Sequence, residues 1–128
     1  MITRLPLFIR LIPMVVVMGI IFFLSHQAGD QLDMPDLPFI DKIAHFLVYA
    51  VLAAAILLVP SKKFKQSRPT LTIVLTISLC ILYGISDEFH QSFIPHRSVS
   101  GADVFADTLG AICISLFWLK TRQQKLES

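Results

Sequence analysis

The sequence predicts an all-α fold: an integral membrane bundle of four transmembrane helices with both termini cytoplasmic. Three observations lead there. Of 128 residues, 55% are hydrophobic and the mean hydropathy is +0.71, above the roughly 45–50% apolar content of ordinary soluble domains. The apolar residues gather into four segments, each near the roughly 17–25 residues that cross a hydrocarbon core of about 30 Å. The basic residues are spread unevenly around those segments. Lipid admits only helices and closed barrels, because every backbone polar group must be satisfied internally. No ten-residue alternation of barrel strands is present, so helices are expected.

The first segment runs from about Leu5 to Leu24. A cleaved signal peptide is its alternative, since Arg4 and Arg10 precede the apolar run, but Ser25-His26-Gln27 is not an A-x-A-like cleavage site. The second runs from about Ile43 to Val59. The third, Leu71 to Ile85, reaches spanning length only if the polar residues after it continue the helix to about His90. The fourth runs from about Ala102 to Leu119. Residues 61–69 form a short link between antiparallel neighbours, and the whole chain, 1–128, reads as one domain. Cys80 and Cys113 lie inside apolar runs and read as small hydrophobes rather than a bridged pair.

Four crossings place both termini and the 61–69 link on one side. That side carries Arg4, Arg10, Lys62, Lys63, Lys65, Arg68, Lys120, Arg122 and Lys125, leaving only Lys42 and Arg97 opposite. Basic residues concentrate on cytoplasmic loops, so the first side is read as cytoplasmic. Acidic residues show the reverse bias. Asp30, Asp33, Asp36, Asp41, Asp87, Glu88, Asp103 and Asp107 fall on or near the outer side, and Glu127 on the inner. Topology accounts for the basic loops, so nucleic-acid binding is not expected; the bilayer is the expected partner.

Depth matters more than side for chemistry. Asp41, His45 and Tyr49 are spaced i, i+4, i+8 and form one stripe descending the second helix from its outer end. Asp103, Asp107 and Gly110 form a like stripe on the fourth. Tyr83, Asp87 and Gln91 share a face of the third, flanked by Glu88 and His90. An ionisable group in a membrane helix costs about 2.5–3.5 kcal/mol at the helix centre, and less near an end, so such groups point inward and find partners. The plain alternative is that each lies in the polar headgroup zone. That alternative suits Asp41, Asp103 and His96 taken singly better than it suits His45, Glu88, His90 and Asp107 together.

These residues carry a resemblance. Asp41-Lys42-x-x-His45-Phe46-x-x-Tyr49, then Tyr83-Gly84-x-x-Asp87-Glu88-x-His90-Gln91-x-Phe93-x-Pro95-x-Arg97, then Asp103-x-x-Ala106-Asp107-Thr108-x-Gly110, preceded by Ser25-x-Gln27, resemble the VanZ-like family of small bacterial membrane proteins. The resemblance implies a multi-pass protein of the bacterial cytoplasmic membrane, a cell-envelope context and an association with teicoplanin resistance. It does not name a reaction. Two positions depart from the family pattern: His96 stands where a glycine is expected between proline and arginine, and Asp107 where asparagine is common.

From the groups themselves, His45, Glu88, His90 and Asp107 are the candidate catalytic residues; Asp41, Tyr49, Asp87, Gln91, Arg97 and Asp103 are the candidate binding residues. Asp41, one turn before His45, is the carboxylate expected to fix the tautomer a general base or metal ligand needs. Glu88 near the hydrophobic boundary suits an acid, and Arg97 offers a fork for phosphate or carboxylate. The set suits hydrolysis or transfer at a phosphate-bearing head group or lipid-linked precursor on the outer face. No G-x-S-x-G, HExxH, CxxC or glycine-rich phosphate loop is present. A metal held by His45, His90 and carboxylates is conceivable, although Glu88-x-His90 is no standard ligand spacing, and the sequence names no cofactor. The other function class is a non-catalytic binder or structural protein whose polar residues only hold the bundle together.

Overall fold

The computed structural model describes residues 5–29 and 39–127, and those residues contain helices and no strands. Arg4, Asp30, Asp33 and Asp36, which enter the charge asymmetry, lie outside the described residues. Helices α1 (Leu7–Ser25), α2 (Ile40–Leu58), α4 (Pro69–Gln91) and α5 (Gly101–Glu127) are each long and apolar enough to span a membrane. Between α2 and α4 lies a short helical piece, α3 (Lys62–Ser67), where the sequence suggested only a link. Its start is set by Ser61, whose hydroxyl accepts from the Phe64 N–H at 3.2 Å, an N-cap that satisfies one orphan amide.

Helix α4 does what the third apolar segment required. Pro69 begins it, at a position where a missing N–H costs nothing. The helix then continues through Asp87 and Glu88 to Gln91, so the polar stretch is helix rather than loop. Helix α5 overshoots its expected end by about two turns, carrying Lys120, Arg122 and Lys125 past the apolar run.

Packing centres on α2 and α5, the most intimately paired helices. Lipid offers no hydrophobic drive for one apolar helix to meet another, so close backbone approach through small residues takes its place. The facing surfaces are built accordingly, with Ala50, Ala53, Ala106, Gly110, Ala111 and Ser115 all buried. Gly110 is the point of closest approach. A Cβ there would strike the Phe46 carbonyl oxygen of α2. Helix α1 is more peripheral, burying only Ile21 and Ser25 and exposing Phe8, Val15, Val16 and Phe23 as a lipid-facing surface. It is tied to α4 by the Tyr83 hydroxyl, which donates to the Met18 carbonyl at 2.7 Å.

The basic end is held by cations on backbone carbonyls. Arg10 of α1 donates to the Val59 carbonyl, Lys65 to that of Leu57 at 2.9 Å, and Arg122 to that of Gln66 at 3.0 Å. The carbonyls at a helix C-terminus have no intrahelical donors, so Leu57 and Val59 take these charges. Burial, with the Arg10 charge beside it, lowers the pKa of Lys65.

Candidate functional site

The opposite end of the bundle gathers the acidic residues. Asp41 and Asp103 sit in the first turns of α2 and α5, where the positive end of the helix dipole favours a carboxylate. Helix geometry alone therefore explains why these two are acidic. It does not explain Asp87, Glu88 and Asp107, which lie near the end of α4 or a turn deeper in α5 and are 6%, 5% and 0% exposed.

Each deep group has a defined neighbour. His45 Nδ1 and Asp107 Oδ1 are 2.9 Å apart, linking α2 to α5. Because a carboxylate only accepts, Nδ1 carries the proton and the free lone pair of a neutral His45 is on Nε2. Asp41 was the sequence's choice for this orienting role, but its half-exposed carboxylate pairs with Lys42 at 2.7 Å, and Asp107 from α5 holds the ring instead. Lys42 also pairs with Asp103, so one ammonium bridges the first turns of α2 and α5. Gln91 donates to Asp87 at 3.1 Å and to the Ser25 hydroxyl at 3.3 Å, closing the site against the end of α1. Glu88 Oε2 accepts the Ser100 N–H at 2.8 Å, which anchors the α4–α5 connection.

Two glycine positions make this convergence possible. Besides Gly110, Gly84 of α4 faces Asp107, and a Cβ at Gly84 would lie 2.8 Å from Asp107 Oδ2. The connection itself holds His96 at φ 59°, the left-handed region that glycine occupies without steric cost. The glycine expected at this point of the family pattern thus has a backbone reason, and the Gly29 N–H fastens to the adjacent Pro95 carbonyl at 3.2 Å.

A cavity of about 140 Å³ opens among α1, α2 and α4, room for a phosphoryl group or a few waters. Its polar lining is Ser25, Asp41, His45, Tyr49, Asp87, Gln91 and Arg97, and Ile21, Leu24 and Val48 supply an apolar wall. Arg97 donates to the Leu24 carbonyl at 3.4 Å and keeps a buried Nε without a partner among the described residues. Glu88 Oε1, Asp107 Oδ2 and the Tyr49 hydroxyl are likewise buried without hydrogen-bond partners there.

The structure therefore brings together all but one of the residues the sequence singled out. Asp41, His45, Tyr49, Asp87, Gln91 and Arg97 line the cavity, with Glu88, Asp103 and Asp107 clustered about His45. His90 goes elsewhere. Its Nε2 lies 3.2 Å from His26 Nδ1, and its ring packs on Phe22 with centroids 4.8 Å apart, on the face of α4 toward Phe89 and Phe93. Two residues off Glu88 on a helix is roughly 200° around it, so Glu88 and His90 are not on one face. Sequence reasoning passed over Lys42 and Ser25 as site members. Lys42 had a signal, being the single lysine among the acidic residues of this end.

Comparisons with known proteins give a family and a relative. The family model VanZ/LLP1 matches residues 7–121, spanning every residue of the site. An uncharacterized protein of Schizosaccharomyces pombe is 31% identical over 111 residues, which are 84% of this chain and 65% of that relative. The chain thus spans about two thirds of the relative's length. No solved structure matches it.

Proposed function

This chain belongs to the VanZ/LLP1 family of membrane proteins, and from the geometry of its acidic end we propose that it acts on the phosphate-bearing head group of an envelope lipid or lipid-linked precursor. The observation that carries the proposal is the His45–Asp107 pair at 2.9 Å, with His45 in the wall of a cavity lined by both apolar and polar side chains. An amphiphile's head group needs that combination. With Nδ1–H held by Asp107, His45 Nε2 is free to take a proton from water or a hydroxyl as that oxygen bonds to phosphorus and the bond from phosphorus to the leaving oxygen breaks, the same proton then passing to the leaving oxygen. Arg97, which lines the cavity and whose Nε has no partner among the described residues, is the donor for the phosphate oxygens. In this reading the acidic end faces outward from a bacterial cytoplasmic membrane, with both termini inside. The teicoplanin association that the family resemblance implies would follow from a change in envelope lipids or precursors outside the membrane.

A second reading has its own observation. Lys42 bridges Asp41 and Asp103 across α2 and α5, and a protein whose polar groups only fasten helices would have such a bridge. One experiment separates the two. Wild type, His45→Gln and Glu88→Gln are expressed in a host lacking the chromosomal copy, with membrane abundance, lipid and precursor profiles and teicoplanin susceptibility measured together. The catalytic reading expects a wild-type change in phosphate-bearing lipids that both variants lose while accumulating normally. Variants that keep the full lipid change would overturn it, and variants that vanish from the membrane would favour the fastening role.

A further inference from the structure

We propose that the acidic end holds a single divalent transition-metal ion, bound by His45, Glu88 and Asp103. One potential ligand atom from each of these three residues lies within 4.8 Å of the other two. They come from three different helices, α2, α4 and α5, so the convergence is not a by-product of one helix face. A nitrogen and oxygen set takes roughly 2.0–2.2 Å around zinc, so an ion would draw the three atoms closer together.

A second observation points to the same place. Glu88 is 5% exposed, and its Oε1 has no hydrogen-bond partner among the described residues. A buried carboxylate oxygen without a donor is costly. Charge adds to the case. Asp41, Asp87, Glu88, Asp103 and Asp107 converge here against one ammonium, since Arg97 donates to a backbone carbonyl rather than to a carboxylate. Lys42 compensates Asp41 and Asp103 but is not paired to Glu88. An ion between Glu88 and Asp103 would supply the missing positive charge and leave Lys42 with Asp41.

The His45 ring is prepared as a ligand. Metal-bound imidazoles usually donate their other N–H to a carboxylate, which fixes the tautomer and raises basicity. Asp107 does this to His45 Nδ1, making it a positioning residue and leaving Nε2 for the ion. One imidazole and two carboxylates favour zinc or manganese over calcium and magnesium. Three protein ligands leave coordination open toward a ligand. This inference deepens the proposed function and changes one role in it: with an ion on Nε2, His45 would hold the ion instead of taking a proton, and the ion would make an acidic site receptive to a phosphate, but metal binding does not depend on that reading.

The test is metal content and titration of the full chain, purified in detergent without a histidine tag. Zn²⁺ and Mn²⁺ are the probes, with Mg²⁺ and Ca²⁺ alongside. The exposed His26–His90 pair offers a second imidazole site, so the titration is repeated in His90→Ala. The expected result is one ion per chain, retained in His90→Ala. Glu88→Gln and Asp103→Asn should weaken it at least about 100-fold, and Asp107→Asn about 10–100-fold, as expected when an orienting partner is lost. Each variant is checked for a cooperative thermal transition. No ion bound to folded wild type, binding lost in His90→Ala, or binding indifferent to Glu88→Gln and Asp103→Asn would each overturn the proposal. A lipid change in cells that persists when the purified protein binds no metal would leave the proposed function standing and remove only the ion.

Discussion

The two ends of this bundle solve the same problem differently. At the basic end, Arg10, Lys65 and Arg122 each end on a backbone carbonyl that a helix terminus leaves free. Charge and acceptor satisfy each other, and the result is a structural cap. At the acidic end, Asp41 and Asp103 match the N-terminal dipoles of α2 and α5, but Glu88 and Asp107 go deeper and keep oxygens without donors among the described residues. Buried polar groups in lipid are retained where they serve something other than stability. The contrast is the one expected if the proposed site occupies one end and anchoring the other.

The largest expected effect comes from separating the helices that create the acidic end. Gly110→Leu places a side chain where even a Cβ meets the Phe46 carbonyl. Backbone cannot yield as a flexible side chain does, so α5 must move off α2 and take Asp107 away from His45. A cost of about 3 kcal/mol or more follows, at the upper end of overpacking effects, read as lost membrane abundance and lost cooperative unfolding. A variant that folds with wild-type stability would show that α2 and α5 are not held together at this glycine.

How far the sequence disclosed these two ends depended on what kind of signal each carried. Four helices were legible because lipid makes apolar length nearly sufficient, and the stripe Asp41-His45-Tyr49 was legible because i, i+4 spacing is a helix property. The partner of His45 was not. Asp107 lies 62 residues away in α5, and only tertiary packing through Gly84 and Gly110 decides that it reaches the ring before Asp41 does. His90 misled for the converse reason: nearness in sequence to Glu88 says nothing about face. Short α3 escaped because its six residues, mostly polar, carry no hydrophobic period. The φ of His96 was foreshadowed by a departure from the family pattern, whose cause is visible only in the backbone.

Neutralising one charge at each end should give opposite signs. Arg10→Met removes a charged hydrogen bond to Val59 and should cost about 1.5–3 kcal/mol. Glu88→Gln keeps an acceptor for the Ser100 N–H while removing a buried charge whose other oxygen has no partner among the described residues. With chelator present, it should therefore match wild type or exceed it by about 0.5–2 kcal/mol, the usual gain when a functional group is replaced. Thermal unfolding in detergent reads both. Added Zn²⁺ should then raise the wild-type midpoint and not that of Glu88→Gln, because a ligand stabilises the state that binds it. If Glu88→Gln instead destabilises as much as Arg10→Met, both ends are structural and the contrast fails.

The gentlest perturbation tests the direction of the whole contrast. Ser92 caps α4 at the acidic end, is exposed, and its hydroxyl donates to the Phe89 carbonyl at 2.6 Å. Ser92→Cys forfeits at most that exposed bond, about 1 kcal/mol or less. Gln123→Cys is its exposed counterpart on the basic extension of α5. A membrane-impermeant maleimide reacts with the thiolate, which requires water. Cys80 is buried, and Cys113, though exposed, lies midway along the apolar part of α5, so the wild-type chain should stay unlabelled. In intact cells the Ser92→Cys variant should be labelled and the Gln123→Cys variant should not, the latter reacting only after permeabilisation. The reverse pattern would put the acidic end in the cytoplasm, where a head group would have to come from the inner leaflet.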